Sequence, residues 1–346
     1  MSLHRPFRLV LSIACILLIL LQCGCHNNDP VDPTDPTPTP TKPSPTLSPT
    51  DPPTEPPTEP PTEPSDPLPT ETTPPETGPA PTESAPTDPP ATEPEETKPV
   101  ETGDPNDMIG DLYTRGELLA MKNDTVAYGC GTTKNGKRAP YAVQDQEKYG
   151  HLSALFIGED EPVIYLTFDC GYEYNNNTAA ILDILAEKNV KAVFFITGNY
   201  AKKNPELVRR MIDEGHVVGS HSTNHPDMTT LTIDEMVSEI TVVHDYVLQH
   251  YGYEMTLIRP PQGRFSQRSL AVTESLGYKS VLWSVAYVDY EVDDQPDPED
   301  ALKKMKKRAH NGAIYLLHAI SDTNVAILGD LIDSLQDEGY TFDLVQ

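Results

Sequence analysis

Seven short runs rich in β-branched and aromatic residues follow one another from residue 163 to near the end of the chain. They read VIYLTFD (163–169), AVFFITG (192–198), HVVGSH (216–221), TLIRPP (256–261), SVLWSVA (280–286), AIYLLHA (313–319) and TFDLV (341–345). Amphipathic helical patterns separate them, such as NTAAILDILAEKN and TIDEMVSEITVVHDYVLQHYG, the second opening with the capping-box pair Thr232 and Glu235. Buried strands that alternate with helices are typical of parallel βαβ units. The pattern predicts an α/β fold, a distorted (β/α) barrel of about seven parallel strands, with a doubly wound open sheet as the alternative.

The first 25 residues have a different composition. Arg5 and Arg8 precede a short apolar run, which is typical of an export signal. The run ends in LQCGC, and a glycine directly before Cys25 resembles the cleavage site of bacterial lipoproteins. We therefore expect residues 1–25 to be a signal peptide or lipoprotein signal, with ordinary cleavage or an uncleaved anchor as alternatives.

Residues 26–103 are dense in proline, threonine and acidic residues, as in DPPTEPPTEPPTEP. They show no apolar periodicity, so they cannot bury a core, and they predict a disordered, extended linker. The formal net charge of the whole chain is −28. Much of that charge lies in the linker, and no basic patch stands out, which argues against a nucleic-acid partner. The remaining chain divides into a lead-in of the catalytic domain at 104–160 and the domain itself at 161–346.

Polar residues cluster where the predicted strands end. Asp169 ends the first strand, His221 the third and His318 the sixth, while Arg259 ends the fourth and Asp289 follows the fifth. In barrels of this type, catalytic residues gather at the carboxyl ends of the strands. We expect these side chains to meet there.

His221 and His225 stand four residues apart in HSTNHPD. They would share a face if this segment forms a helical turn, and two neighbouring imidazoles suit a divalent metal, with zinc as the first choice. The alternative is a pair of loop histidines that are hydrogen-bonded to the backbone.

The other strand-end residues suit hydrolysis. Asp169 can serve as a general base and His318 as the acid that protonates a leaving nitrogen. Arg259 can hold Asp169 ionised, and Asp289 can raise the pKa of His318. Arg259 as a structural ion pair and Asp289 as a solvated loop acid remain the alternatives.

Five motifs, TFDCGYE, HSTNH, RPPQG, WSVAYVDY and LLHAIS, occur in this order. Together they resemble the polysaccharide deacetylase domain (NodB homology, carbohydrate esterase family 4) over residues 161–346. The resemblance is closer to the delta-lactam-forming N-acetylmuramic acid de-N-acetylase branch, which the lead-in YGCGTTKNGKRAPY also resembles. It implies a distorted barrel that removes an acetyl group from an N-acetyl sugar with the help of a metal.

The resemblance also implies roles for individual residues. Asp169 matches the base, Arg259 the residue that tethers it, His318 the acid and Asp289 its partner, while His221 and His225 match metal ligands. Trp283, Gln262 and Gly263 are assigned to substrate binding. The chain departs from the family pattern at Gln262, where an aromatic residue is common, and at Cys170, where a second aspartate commonly binds the metal.

Three interpretations of Cys170 remain open. It can be a metal ligand, a neutral filler of the core, or one half of a disulfide with Cys130. We favour a filler or weak ligand. Since successive strand residues point to opposite faces, Asp169 and Cys170 can share a site only if the chain turns at Gly171.

The resulting prediction is an exported, extracytoplasmic enzyme that is membrane-anchored or wall-associated and removes the N-acetyl group from peptidoglycan, with N-acetylmuramic acid as the first choice of sugar. Its partner would be the peptidoglycan glycan strand, with membrane contact only through the signal or a lipid anchor. Two alternatives are a deacetylase of N-acetylglucosamine in peptidoglycan or chitin oligomers, and a non-catalytic wall-binding lipoprotein.

Overall fold

The computed structural model describes residues 100–133 and 136–345, so the predicted signal and nearly all of the predicted linker lie outside the described residues. Twelve strands occur in the described part. They are β1 (Met108–Ile109), β2 (Tyr113–Thr114), β3 (Val126–Ala127), β4 (Ala154–Leu155), β5 (Val163–Cys170), β6 (Val193–Ile196), β7 (Val217–Ser220), β8 (Leu257–Ile258), β9 (Arg264–Phe265), β10 (Lys279–Val281), β11 (Ala313–His318) and β12 (Thr341–Phe342).

One parallel sheet forms the centre of the fold. Its strands lie in the order β11–β5–β6–β7–β8–β10–β4, and β12 pairs with the beginning of β5. After β10 the chain returns to the free edge of β11, where Val285 bridges Tyr315. The strands from β5 to β10 follow chain order without the reversal of a doubly wound sheet. The sheet therefore curls into a distorted barrel, as the sequence predicts.

Nine α-helices surround or extend this sheet in the described part. They are α1 (Arg115–Ala120), α2 (Pro140–Tyr149), α3 (Asn177–Glu187), α4 (Gly198–Lys203), α5 (Pro205–Asp213), α6 (Ile233–Tyr251), α7 (Gln267–Ser275), α8 (Pro298–Arg308) and α9 (Asp322–Asp337). Short 3-10 helices occupy Gly150–Leu152, Met228–Thr230 and Pro261–Gly263. Thr232 caps α6 with Glu235, which confirms the predicted capping box.

The core has two compartments, as expected for strands with one face inside a barrel and one face under helices. Phe195, Val281 and Ile314 belong to a small inner cluster. Phe168, Phe194 and Ile196 belong to the large cluster that includes the helices. Alternation along each strand therefore decides whether a side chain points into the barrel or against the helices.

The lead-in packs directly on the barrel. β3 pairs antiparallel with β9, and Tyr128 donates its backbone N–H to the carbonyl oxygen of Gly263 at 2.9 Å. The Arg268 guanidinium donates to the carbonyl oxygens of Leu118 and Leu119, just beyond the middle of α1. These contacts attach the lead-in to the loop after β8, to β9 and to the first turn of α7, next to the site described below.

All seven predicted strand runs contain an observed strand, although several strands are only two to four residues long. The two-residue β4 was not predicted, although Ala154 and Leu155 open the short apolar run ALFI at 154–157. No helix in the described part of the chain is long and apolar enough to cross a membrane.

Candidate active site

A cavity of about 910 Å³ opens at the carboxyl ends of the barrel strands. The predicted site residues that line it are Asp169, His221, His225, Gln262, Gly263, Trp283 and His318. The rest of the lining consists of Gly171, Tyr172, Thr197, Asn199, Thr223, Asn224, Tyr290, Leu316 and Ile320. The predicted gathering of strand-end side chains thus takes place in one cavity.

Asp169 and His318 are register partners on adjacent parallel strands, β5 and β11. Residues paired in this way in a parallel sheet project to the same face. The two side chains therefore point into the same cavity from neighbouring strands.

Asp169 is held from below by Arg259, which is fully buried. The guanidinium donates to Oδ1 of Asp169 at 2.7 Å and to Oγ1 of Thr167 at 2.7 Å, and it lies 4.4 Å from the ring centre of Phe195. Burial acts to raise the pKa of Asp169, but the charges of Arg259 and then His221 outweigh it, and the pKa is lowered. Asp169 is thus an ionised carboxylate near neutral pH, and its Oδ1 accepts a hydrogen bond from Arg259.

His318 is oriented by Asp289, which is itself fully buried. Asp289 accepts from Nδ1 of His318 at 2.7 Å and from the backbone N–H of His318 at 2.8 Å. Its second oxygen also accepts from Nδ2 of Asn324 at 2.7 Å. Burial acts to lower the pKa of His318, but the hydrogen bond to Asp289 and the charge of Asp289 outweigh it, and the pKa is raised. With Nδ1 donating to Asp289, Nε2 is the nitrogen left for the cavity.

His221 and His225 meet, but not through a helical turn. The segment from 221 to 227 is irregular, and both Ser222 (φ 61°) and His225 (φ 62°) adopt left-handed backbone conformations. Ser222 Oγ accepts the backbone N–H of His225 at 2.9 Å and stabilises this turn. The predicted proximity is thus correct, whereas the helical turn behind it is wrong.

The two imidazoles face each other with their Nε2 atoms 3.1 Å apart. Nδ1 of His221 lies 3.0 Å from the carbonyl oxygen of Arg259, which can only accept, so Nδ1 carries the proton and Nε2 presents a lone pair. Oδ2 of Asp169 lies 3.5 Å from that same Nε2. Nε2 of His221 therefore lies near both the imidazole of His225 and a carboxylate oxygen of Asp169.

This donor set has the chemistry of a divalent metal site. Burial lowers the pKa of His221 to about 4 and also lowers the pKa of His225, so both rings are neutral near pH 7, the state that binds metals. In the described residues, no group of three or more histidine, cysteine or acidic side chains is already arranged around a common metal position. The histidine pair is thus a pair of ligands that fits a metal, and the remaining ligands would have to come from elsewhere, including water.

Cys170 lies on the opposite face of β5 from Asp169. Its side chain is fully buried in the cluster that includes the helices, and it does not line the cavity. Burial, followed by the charges of Asp169 and Glu173, raises the pKa of the thiol well above its usual range. A neutral thiol in this position is a poor metal ligand. Cys130 and Cys170 are both free, so the disulfide considered from the sequence is not formed.

Trp283 forms one wall of the cavity and packs on Gly263. A Cβ atom at Gly263 would lie 2.5 Å from Cη2 of Trp283, and Gly263 has a φ of 62°, so only glycine fits here without strain. The Tyr128 hydroxyl donates to the carbonyl oxygen of Trp283 at 2.6 Å. Gln262 also has a left-handed φ of 59° and is exposed at the rim.

Sequence reasoning missed some residues of the site. Asn324 holds the second oxygen of Asp289 from α9, yet in the sequence it is only a polar position in an amphipathic helix. Tyr172 and Tyr290 line the cavity with about half of each side chain exposed. Each of these tyrosines stands beside a predicted site motif residue, which is a signal that could have identified them.

Residues 157–281 match the family described as "Polysaccharide deacetylase". The chain is 41% identical over 225 residues to the peptidoglycan-N-acetylmuramic acid deacetylase PdaA of Bacillus subtilis, an alignment that covers 64% of this chain and 85% of that protein. The chain belongs to the polysaccharide deacetylase family.

Two further comparisons agree with this membership. The solved structure of Bacillus subtilis PdaA, described as a family 4 carbohydrate esterase, superposes with a TM-score of 0.61 at 39% identity and covers 64% of this chain and 96% of that one. The peptidoglycan-N-acetylglucosamine deacetylase PgdA of Listeria monocytogenes is 37% identical over 179 residues, which is 52% of this chain and 37% of that protein. The resemblance noted from five motifs is thereby confirmed.

Proposed function

We propose that this protein is a metal-dependent N-deacetylase of peptidoglycan that acts on N-acetylmuramic acid. The observation that carries the proposal is the register pairing of Asp169 with His318 at the floor of the cavity, each with its own buried partner. Amide hydrolysis requires a base for the attacking water and an acid for the leaving nitrogen, and these two side chains point into one cavity from neighbouring strands. The similarity to the peptidoglycan-N-acetylmuramic acid deacetylase PdaA of Bacillus subtilis supports the muramic acid sugar as the substrate.

The reaction would proceed as follows. Asp169 takes a proton from a water molecule while the water oxygen attacks the acetyl carbonyl carbon. Arg259 keeps the Asp169 carboxylate ionised and oriented. Nε2 of His318 then gives a proton to the sugar nitrogen as the carbon–nitrogen bond breaks. The products are acetate and a free amine on the sugar. Trp283 and Tyr290 would exclude bulk water from the two sides of this centre.

We further propose that His221 and His225 hold the divalent metal, with zinc as the first choice because neutral imidazoles suit it. When bound, such a metal would polarise the acetyl carbonyl as a Lewis acid and lower the pKa of water. Cys170 is left out of the proposed ligand set because its buried side chain faces away from the cavity.

An exported, wall-facing location follows from a peptidoglycan substrate, and the predicted signal at residues 1–25 supports it. Whether Cys25 carries a lipid is a separate proposal, which labelling of cells with a fatty-acid analogue would test.

The experiment is incubation of the purified full-length protein with peptidoglycan in the presence of zinc, followed by mass spectrometry of muramidase digests. We expect loss of acetyl groups with the new amines on muramic acid. Amines on glucosamine instead would show the N-acetylglucosamine deacetylase considered from the sequence. The assay is run on peptidoglycan with its stem peptides and on peptidoglycan from which they have been removed. No loss of acetyl groups from either substrate would favour the non-catalytic wall-binding alternative.

A further inference from the structure

One helix on the surface of this acidic protein is strongly basic. The last six residues of α8 read KKMKKR, and five of them are basic: Lys303, Lys304, Lys306, Lys307 and Arg308. Ala301 and Met305 are buried against the fold, whereas Lys303, Lys304 and Lys307 are exposed and Lys306 is half-buried. The sequence analysis did not single out this basic run.

The four lysines have no carboxylate partner in the part of the chain that the structure describes. Lys188, Arg210 and Arg264, in contrast, each form an ion pair with an aspartate. A shallow surface groove of about 280 Å³ lies between Lys303 and Lys306, with Glu299 at its other side, but no ion pair forms there. Glu299 and Asp300 lie one helical turn before Lys303 and Lys304 and offset part of this charge, but the five basic side chains of α8 outnumber these two carboxylates, so the surface keeps an excess of positive charge.

A second element adds to the same surface. Gly136 bridges His310, two residues beyond the end of α8, and this contact brings the lead-in next to the carboxyl end of the helix. Lys137 follows Gly136 and is exposed. We define the basic surface as Lys137, Lys303, Lys304, Lys306 and Lys307.

Helix stability explains only part of this arrangement. Basic residues in the last turn interact favourably with the helix dipole, which accounts for Lys306 and Lys307. Lys303 and Lys304 lie further from the end, and Lys137 lies on another segment, so the dipole does not account for them. A concentration of cations on a chain with a net charge of −28 points to an external anion.

We propose that the basic surface docks the protein onto a phosphodiester polyanion of the cell wall. A row of lysine ammonium groups suits a polymer that repeats a negative charge, because each lysine acts as a point charge toward phosphate. An anionic membrane fits less well, because binding there also needs apolar side chains to insert, and α8 contributes none of the exposed large hydrophobic residues in the described chain. Docking would offset the repulsion between an acidic enzyme and an acidic wall.

The test compares the full-length wild type with a variant that carries Lys303→Gln, Lys304→Gln, Lys306→Gln and Lys307→Gln. A matched control carries Lys202→Gln and Lys203→Gln, two exposed lysines on α4. The probes are bacterial walls with their phosphodiester polymer, the same walls after its removal with hydrofluoric acid, and vesicles that contain anionic lipid. Binding is measured by co-sedimentation at low and at physiological salt.

We expect wild type and control to bind intact walls on the order of tenfold more tightly than stripped walls, with the difference decreasing as salt rises. The four-lysine variant should lose this difference while it keeps its melting temperature and its activity on soluble glycan fragments. Equal binding of variant and wild type to intact walls would overturn the proposal. Equal binding of the wild type to intact and stripped walls would also overturn it, and so would wild-type binding to vesicles but not to walls. Because the readout is binding, it stands or falls separately from the deacetylase activity.

Discussion

The carbonyl oxygen of Arg259 lies 3.0 Å from Nδ1 of His221, while the guanidinium of the same residue donates to Asp169. One residue therefore fixes the tautomer of a proposed metal ligand through its backbone and orients the proposed base through its side chain. The two functions can be separated by mutation, because only the second depends on the side chain.

Arg259→Lys should impair turnover much more than metal binding. Lysine keeps the charge but cannot bond Asp169 and Thr167 together, so the base loses its orientation, and a misplacement of this kind can cost about 10²-fold in rate. The carbonyl that faces His221 remains. Zinc affinity by calorimetry and kcat on a soluble substrate test this together. A variant whose zinc affinity falls as far as its kcat would contradict the separation, provided that its melting temperature remains close to wild type.

Asp289→Asn should move the alkaline limb of the kcat/KM profile to lower pH. Asp289 raises the pKa of His318, so the protonated acid persists above its ordinary range, and activity is lost only as pH rises through that raised pKa. Removing the negative charge lowers the pKa, so protonated His318 is lost earlier. The profile measured from pH 5 to 10 checks the sign, and an unchanged alkaline limb would show that His318 does not control it.

Cys170→Ser should leave zinc affinity unchanged and reduce stability. The side chain is fully buried among apolar residues, so a serine hydroxyl without a partner would cost about 1–3 kcal/mol. Thermal unfolding and zinc titration in reducing buffer measure the two effects, with Cys130→Ser as the matched control at the other free cysteine. A fall of one or more decades in zinc affinity for the Cys170 variant alone would restore the thiolate as a ligand.

Deletion of residues 30–99 should leave the melting temperature of the catalytic domain unchanged. The segment has no apolar pattern with which to pack. Differential scanning calorimetry of the full chain and the deletion compares them directly. A decrease of several degrees on deletion would show that the segment docks on the domain.

The sequence predicted the parts of the fold that depend on local pattern. Strand alternation located the run that ends at Asp169 and, through the same alternation, placed Cys170 on the other face. The parallel βα pattern also predicted that polar side chains gather at the carboxyl ends of the strands. These features are encoded in short stretches, so a single sequence reveals them.

Other features depend on contacts between distant segments. The meeting of His221 and His225 requires left-handed backbone at both Ser222 and His225, and such conformations are uncommon for residues other than glycine. Asn324 reaches Asp289 only because α9 packs beside the loop after β10. The basic surface needs α8 and the lead-in to come together. Each of these contacts depends on tertiary packing between distant segments, so the local sequence pattern did not predict it.

The most direct test of the account is the rate of acetate release from peptidoglycan by wild type and His318→Ala, with zinc supplied. His250→Ala is the control, because His250 is an exposed histidine near the end of α6 that does not line the cavity. We predict that His318→Ala keeps its fold and zinc affinity but releases acetate about 10²–10⁴-fold more slowly, since a positioned acid contributes on that order. Release by His318→Ala within a few-fold of wild type would remove the paired acid and base from the mechanism and contradict the account.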